Sequence, residues 1–106
     1  MSIQIKKEGG ATTVVLDSEM WILHAAEFHQ AVLPLAGSGD SVRIDASAVK
    51  SIHSSTMQIL YALSQAVPDF GVVEASEDFS AAEVRVGLTF ARSEKTGTPA
   101  NLLEKA

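Results

Sequence analysis

Val42-Arg43-Ile44-Asp45-Ala46-Ser47 and, a few residues on, Ile52-His53-Ser54-Ser55-Thr56-Met57 decide how this chain reads. The first segment alternates apolar and polar residues, with Val42 and Ile44 on one face, as a half-buried strand does. Arg43 and Asp45 argue against complete burial of the other face. The second segment puts three hydroxyl residues at the head of an apolar-periodic run, where side-chain oxygens meet the unpaired amides of a helix's first turn. Ser55 with Gln58 three residues later fits the reciprocal capping-box pattern, which predicts Ser55 as the N-cap and leaves Ser54 one step outside, exposed. An anion carried on Ser54 would face backbone N–H groups and the positive end of the helix dipole. A phosphate there adds a charge of about −1.5 to −2 and remakes any surface that a partner touches. The same hydroxyls also suit a helix cap and nothing more, and the residue types alone leave both readings open. Asp45 and Ser47, at the strand's end, are expected either to line the same surface as Ser54 or to close the strand in an Asx or Ser turn.

Upstream, Ile3-Gln4-Ile5 alternates, Glu8-Gly9-Gly10 breaks the pattern, and Thr12-Thr13-Val14-Val15-Leu16 is rich in β-branched residues, which predicts two short strands joined by a turn. Asp17 or Ser18 is placed to cap a helix over Met20 to Leu35, in which Trp21, Leu23, Ala25, Phe28, Val32 and Leu35 recur nearer a helical than a twofold period. Pro34 limits that helix, and Trp21 is expected to pack in the core by one edge. Downstream, a helix runs from about Ser55 to Val67 and stops before Pro68, and Phe70-Gly71-Val72-Val73-Glu74 reads as a strand. Ser80-Ala81-Ala82-Glu83 repeats the capping-box pattern and opens a third helix through about Gly87, and Leu88-Thr89-Phe90 adds a short strand. A loose tail is expected from about residue 95, through Thr96-Gly97-Thr98-Pro99 to a frayed helical end at Ala100 to Ala106. This order of elements implies an α/β fold with a mixed sheet and helices packed mainly on one face.

The 106 residues, 46% of them apolar, are enough to fill one core, which predicts a single domain over residues 1–106. Without cysteine there is neither a disulfide framework nor a thiolate metal site. The first ten residues carry Lys6, Lys7 and Glu8 in place of an apolar run, and no segment approaches the roughly 20 apolar residues that span a bilayer, so a cytoplasmic location without membrane insertion is expected. A net charge of −5 repels phosphate backbones, which argues against nucleic acid and favours a basic face on a protein partner. His24 and His29 are five apart and His53 falls in a loop, so no metal site is expected. Ser54 beside His53 lacks a Gly-x-Ser-x-Gly elbow, and neighbours on such a turn point apart, so no catalytic residue is assigned. No glycine-rich phosphate loop is present, and no cofactor is expected.

Around the opening segments the sequence resembles the STAS family, the small domains of anti-sigma factor antagonists and of sulfate-transporter tails. The family pattern is Asp-x-Ser at a strand end, a short loop, then Asp-Ser-Ser-Gly-Leu opening a long helix. Asp45-Ala46-Ser47 matches the first part, and His53-Ser54-Ser55-Thr56-Met57 stands where the second would be, with His53 for the aspartate and Thr56 for the glycine. Ser18-Glu19-Met20-Trp21-Ile22-Leu23 to Leu35 resembles the family's first helix and its approach. The resemblance implies a β-sheet with helices on one face, and reversible protein–protein contact in place of catalysis. In antagonist-type members the serine matching Ser54 is phosphorylated by the partner kinase, and the unmodified form binds that partner. Ser54 is thereby implied as phosphoacceptor, with Asp45, Ser47, His53, Ser55, Thr56 and Gln58 as the partner-binding surroundings. The expected partner is a regulatory protein such as an anti-sigma factor kinase or another signalling kinase, met by a monomer or weak dimer. STAS subunits of lipid-transport ATPase complexes also dock through a Ser or Thr near this helix start, which implies the alternative of a constitutive subunit in a larger transport or chemotaxis assembly.

Overall fold

Strict alternation along two strands builds the centre of the sheet. In β2 (Ala11–Val15) and β4 (Ser41–Ala46) every second side chain is buried, Thr12 and Val14 in one, Val42, Ile44 and Ala46 in the other, while their neighbours are half-buried. The computed structural model, which describes residues 3–93, pairs these two strands in parallel. β1 (Gln4–Glu8) joins β2 antiparallel across the Gly9-Gly10 turn, and β6 (Asp69–Ala75) joins β4 in parallel, giving the order β1-β2-β4-β6. Between Ile44 and Asp45 the β4–β6 register slips: Ile44 faces Val72 and Asp45 faces Glu74, so Val73 is an extra residue, a β-bulge. A separate parallel ladder of two residues joins β3 (Glu19–Met20), which follows β2, to β5 (Ser51–Ile52), which follows β4. The helices α1 (Ala25–Val32), α2 (Ser54–Ala66) and α3 (Glu77–Val86) contribute Phe28, Met57, Leu60 and Phe79 to the core, with Val14 and Ile44 of the sheet. The expected α/β architecture, a mixed sheet with helices against one face, is what the chain adopts. The expected tail beyond residue 95 lies outside the described residues.

Three local expectations give way to tertiary contacts. The single helix over Met20 to Leu35 is instead β3, a 3-10 turn at Ile22–His24, α1, and a second 3-10 turn at Leu33–Gly37 that contains Pro34. Met20 is drawn into pairing with Ile52, and Pro34 has no N–H to continue an α-helical ladder. Asp17 and Ser18 therefore do not cap a helix: Asp17 accepts the Ser18 N–H at 2.7 Å, and the Ser18 carbonyl accepts from Lys50 and Ser51. Trp21 is not a core residue but 45% exposed, because the 3-10 turn after β3 swings it outward.

The third helix starts earlier than the Ser80 capping box predicts. Ser76 is its N-cap, accepting the Phe79 N–H at 3.0 Å and donating to the Val49 carbonyl at 2.6 Å. Gly87, at φ 76°, ends the helix in the left-handed conformation that favours glycine. No strand forms over Leu88–Phe90. The chain instead reaches the edge of β6 at a single parallel bridge from Arg92 to Val72, and Ser93 lies so close to Gly71 that a Cβ there would stand 2.6 Å from that of Ser93.

Glu83, read from sequence as part of a capping box, is a buried anchor for this last segment. Its carboxylate accepts from Arg92 at 2.6 and 3.0 Å and from the Phe90 N–H at 2.9 Å. Burial pushes the Glu83 carboxyl up, but the hydrogen bonds from Arg92 and Phe90 and the Arg92 charge outweigh it and hold it below the usual range. A carboxyl depressed in the folded state stabilises the protein above its unfolded value, about 4.3, and that contribution is lost as pH falls through the lower folded value. Glu83→Gln is expected to cost about 1–3 kcal/mol at neutral pH. In urea denaturation across pH 3 to 7 it should also flatten the acid limb of the stability curve relative to the parent protein.

Candidate docking site at the start of α2

The start of α2 is built by backbone pairing before any side chain contributes. His53 ends the β5 segment with its N–H bonded to the Met20 carbonyl at 2.8 Å, in extended conformation (φ −83°, ψ 151°), and its own carbonyl accepts from Thr56 and Met57 at 3.0 and 3.2 Å. His53 is therefore the N-cap. Its ring Nδ1 accepts the Ser55 N–H at 3.0 Å and lies 2.9 Å from Ser55 Oγ. The predicted Ser55 cap does not form, because Ser55 is already the second helical residue and its amide is taken by the imidazole.

Ser54 is the first residue of the helix and is exposed, and its hydroxyl makes no hydrogen bond among the described residues. Gln58, one turn further along, shares that exposed side. Ser55 is half-buried. Thr56 is 1% exposed, which removes it from the surface that a partner can touch, and its Oγ1 has no hydrogen-bond partner among the described residues. It supports the helix start from beneath, beside the fully buried Met57. The open row of amides expected to greet an anion is largely occupied: those of Ser55, Thr56 and Met57 all bond to His53. Ser54 thus presents its oxygen at the positive end of a 13-residue helix without a ready-made amide cradle.

Asp45 and Ser47 form a closed pair at the end of β4. Asp45 Oδ1 accepts from the Ser47 N–H at 3.0 Å and from its hydroxyl at 2.7 Å, the turn weighed from sequence. Among the described residues no hydrogen bond joins this pair to His53, Ser54 or Ser55.

Two features of the site were not read from sequence. Arg85, in the last turn of α3, reaches the Ile52 carbonyl at 3.5 Å and so ties α3 to the segment leading into His53. Trp21, Ile22 and Leu23 stand exposed next to Ser51, Ile52 and His53, enclosing a cleft of about 320 Å³. The available signal was three large apolar residues in succession, which no single helical face can bury. Among the described residues no three His, Asp or Glu side chains gather as metal ligands, and no helix is long and apolar enough to cross a membrane.

A mixed sheet carrying helices on one face, with an exposed serine opening the helix that follows the short strand β5, is the architecture of a STAS domain. The family model described as "Mlab, STAS domain" matches residues 3–86, and the chain belongs to this family. Among solved structures, an anti-sigma factor antagonist from Mycobacterium paratuberculosis is similar at a TM-score of 0.74 and 20% identity, covering 98% of this chain and 92% of its own. The anti-sigma factor antagonist SpoIIAA in its unphosphorylated form is similar at a TM-score of 0.74 and 11% identity, covering 98% of this chain and 96% of its own. At such identities the likeness is one of fold. Comparison with curated proteins gives no match.

An imidazole N-cap leads to a direct expectation. His53→Ala removes the acceptor for the Ser55 amide and should cost about 1 kcal/mol, whereas His53→Asp supplies a carboxylate in its place and should keep the parent stability. Chemical denaturation followed by circular dichroism distinguishes the two.

Proposed function

We propose that the chain is a protein-interaction module of a regulatory pathway, similar in role to an anti-sigma factor antagonist. In this reading it docks a partner such as an anti-sigma factor kinase or another signalling kinase through the start of α2, and phosphorylation of Ser54 releases it. The observation that carries the reading is the placement of Ser54, an exposed, unengaged hydroxyl at the first position of a long helix. Ser54 lies where a kinase can reach it and where a docked surface would cover it. Gln58 and the His53 ring flank it, while Asp45 and Ser47 form a self-contained turn at the end of β4.

The unmodified hydroxyl permits close apposition. A phosphate adds bulk and charge that must be desolvated against the partner, and with the first-turn amides already bonded it finds no internal cradle to offset that cost. Each tenfold change in affinity needs about 1.4 kcal/mol, which an unpaired interfacial charge readily exceeds. Binding is the whole activity in this reading. His53 spends Nδ1 on Ser55, not on Ser54, which supports binding over nucleophilic catalysis at Ser54.

A second reading, a constitutive subunit of a larger assembly such as a lipid-transport ATPase complex, is favoured by the description of the matching family and by His53 and Thr56 standing where the antagonist pattern has Asp and Gly. One experiment separates them. With the partner purified alongside the chain from its native cell, Ser54→Asp should bind at least tenfold more weakly than the parent while Ser54→Ala binds nearly as well. Equal affinity of both variants overturns the switch in favour of the constitutive subunit.

A further inference from the structure

Trp21, Ile22 and Leu23 follow β3 in succession and remain 45%, 58% and 81% exposed. Single apolar residues on a surface need no explanation, but a contiguous ridge marks an interaction site. Its outward position is enforced: Met20 is held in the β3–β5 ladder on one side, and the His24 N–H bonds the Trp21 carbonyl at 2.9 Å on the other, closing the 3-10 turn. Trp21 also stacks on His24, with ring centroids 6.3 Å apart and planes within 13°. The neighbouring cleft of about 320 Å³ is completed by Ser51, Ile52 and His53, so it is continuous with the α2 start through the capping histidine. With Nδ1 accepting the Ser55 amide, the capping form of the ring carries its proton on Nε2, which leaves one donor on a residue that lines the mainly apolar cleft.

Charge narrows the occupant. Glu19 lies two residues before the ridge, Glu27 follows Leu23 by one helical turn, and the chain as a whole carries −5. Lys50 and Arg85 stand on the opposite, β5 side, with Arg85 already engaged at the Ile52 carbonyl. A second copy would bring the same acidic pair and another −5 to the contact, whereas a basic segment is attracted on approach.

We propose that the ridge and cleft receive an amphipathic segment of the partner protein, with an aliphatic side chain in the cleft and lysine or arginine beside it facing Glu19 and Glu27. A backbone carbonyl of that segment accepts from His53 Nε2. This rests on the docking reading of the α2 start and states the chemistry of the partner at that surface.

The sole tryptophan makes the test direct, since Trp21 is itself in the ridge. The whole chain is titrated with a 14-residue helical peptide of leucine and lysine, and with its counterpart in which glutamate replaces lysine. The lysine peptide should shift Trp21 emission to the blue, saturably and less strongly at higher salt, and the glutamate peptide should bind at least tenfold more weakly. Leu23→Ser, at a position too exposed to affect folding, should weaken the lysine peptide about tenfold, with Ile22→Ser as the second variant. Equal binding of both peptides, or no effect of either substitution, overturns the proposal. So does a dimer of the parent chain in sedimentation that Leu23→Ser dissolves, which would make a second copy the occupant. If the lysine peptide binds as expected while Ser54→Asp leaves the native partner's affinity unchanged, the ridge stands and the phospho-switch falls; the converse pattern retains the switch and removes the ridge.

Discussion

The Met20–His53 contact, a backbone hydrogen bond of 2.8 Å at the end of the two-residue β3–β5 ladder, fixes both exposed elements of the proposed docking face. On the β3 side it forces the chain to turn outward into Trp21, Ile22 and Leu23. On the β5 side it stops extended pairing at His53, whose carbonyl then accepts the first helical amides and whose ring caps the second. So short a ladder is marginal by itself. It persists because Met20 and Ile52 are buried in the common core and because Lys50 and Ser51 hold the Ser18 carbonyl from the same edge.

Charge is used in the fold in two different ways. The ion pairs Arg43–Asp69 and Lys7–Asp40 are partly solvated and lie on the sheet, where they contribute little to stability. Glu83 with Arg92 differs, since the carboxylate is 6% exposed and also accepts a backbone amide, so its removal would leave a buried N–H without a partner. The pair secures the segment after α3 against β6, and α3 in turn supports the approach to His53 through Arg85. The helix that supports the approach to His53 thus also carries the buried carboxylate of this pair.

What local periodicity can carry was legible in the sequence. β4 falls at Ser41–Ala46, where alternation placed it, α2 begins one residue before the expected start, and β6 brackets Phe70 to Glu74, because each obeys its own pattern over five or more residues. The stretch from Asp17 to His24 was not legible, since a ladder of two residues leaves no periodic trace and its partner lies about thirty positions away. Ser76 escaped notice as a cap because its hydroxyl is shared with the Val49 carbonyl, a tertiary contact. The exposed Ser54 was readable from its place at the head of an apolar run. The identity of the cap was not, because whether an imidazole or a hydroxyl wins the Ser55 amide depends on ring orientation, and Thr56 showed no sign of being turned inward.

The bulge at Val73 gives the length of β6 a meaning of its own. Up to Val72 the strand is in step with β4, and beyond it the bulge takes up Val73 so that Glu74 lies opposite Asp45 and Ala75 opposite Ala46. Were Val73 paired in the ladder without a bulge, it would face Asp45, and Glu74 would fall opposite buried Ala46. Ser76 would also lose its reach to Val49. Loss of one residue between Val72 and Glu74 would therefore close the bulge and keep these pairs, whereas a regular ladder through Val73 would turn over the end of β6.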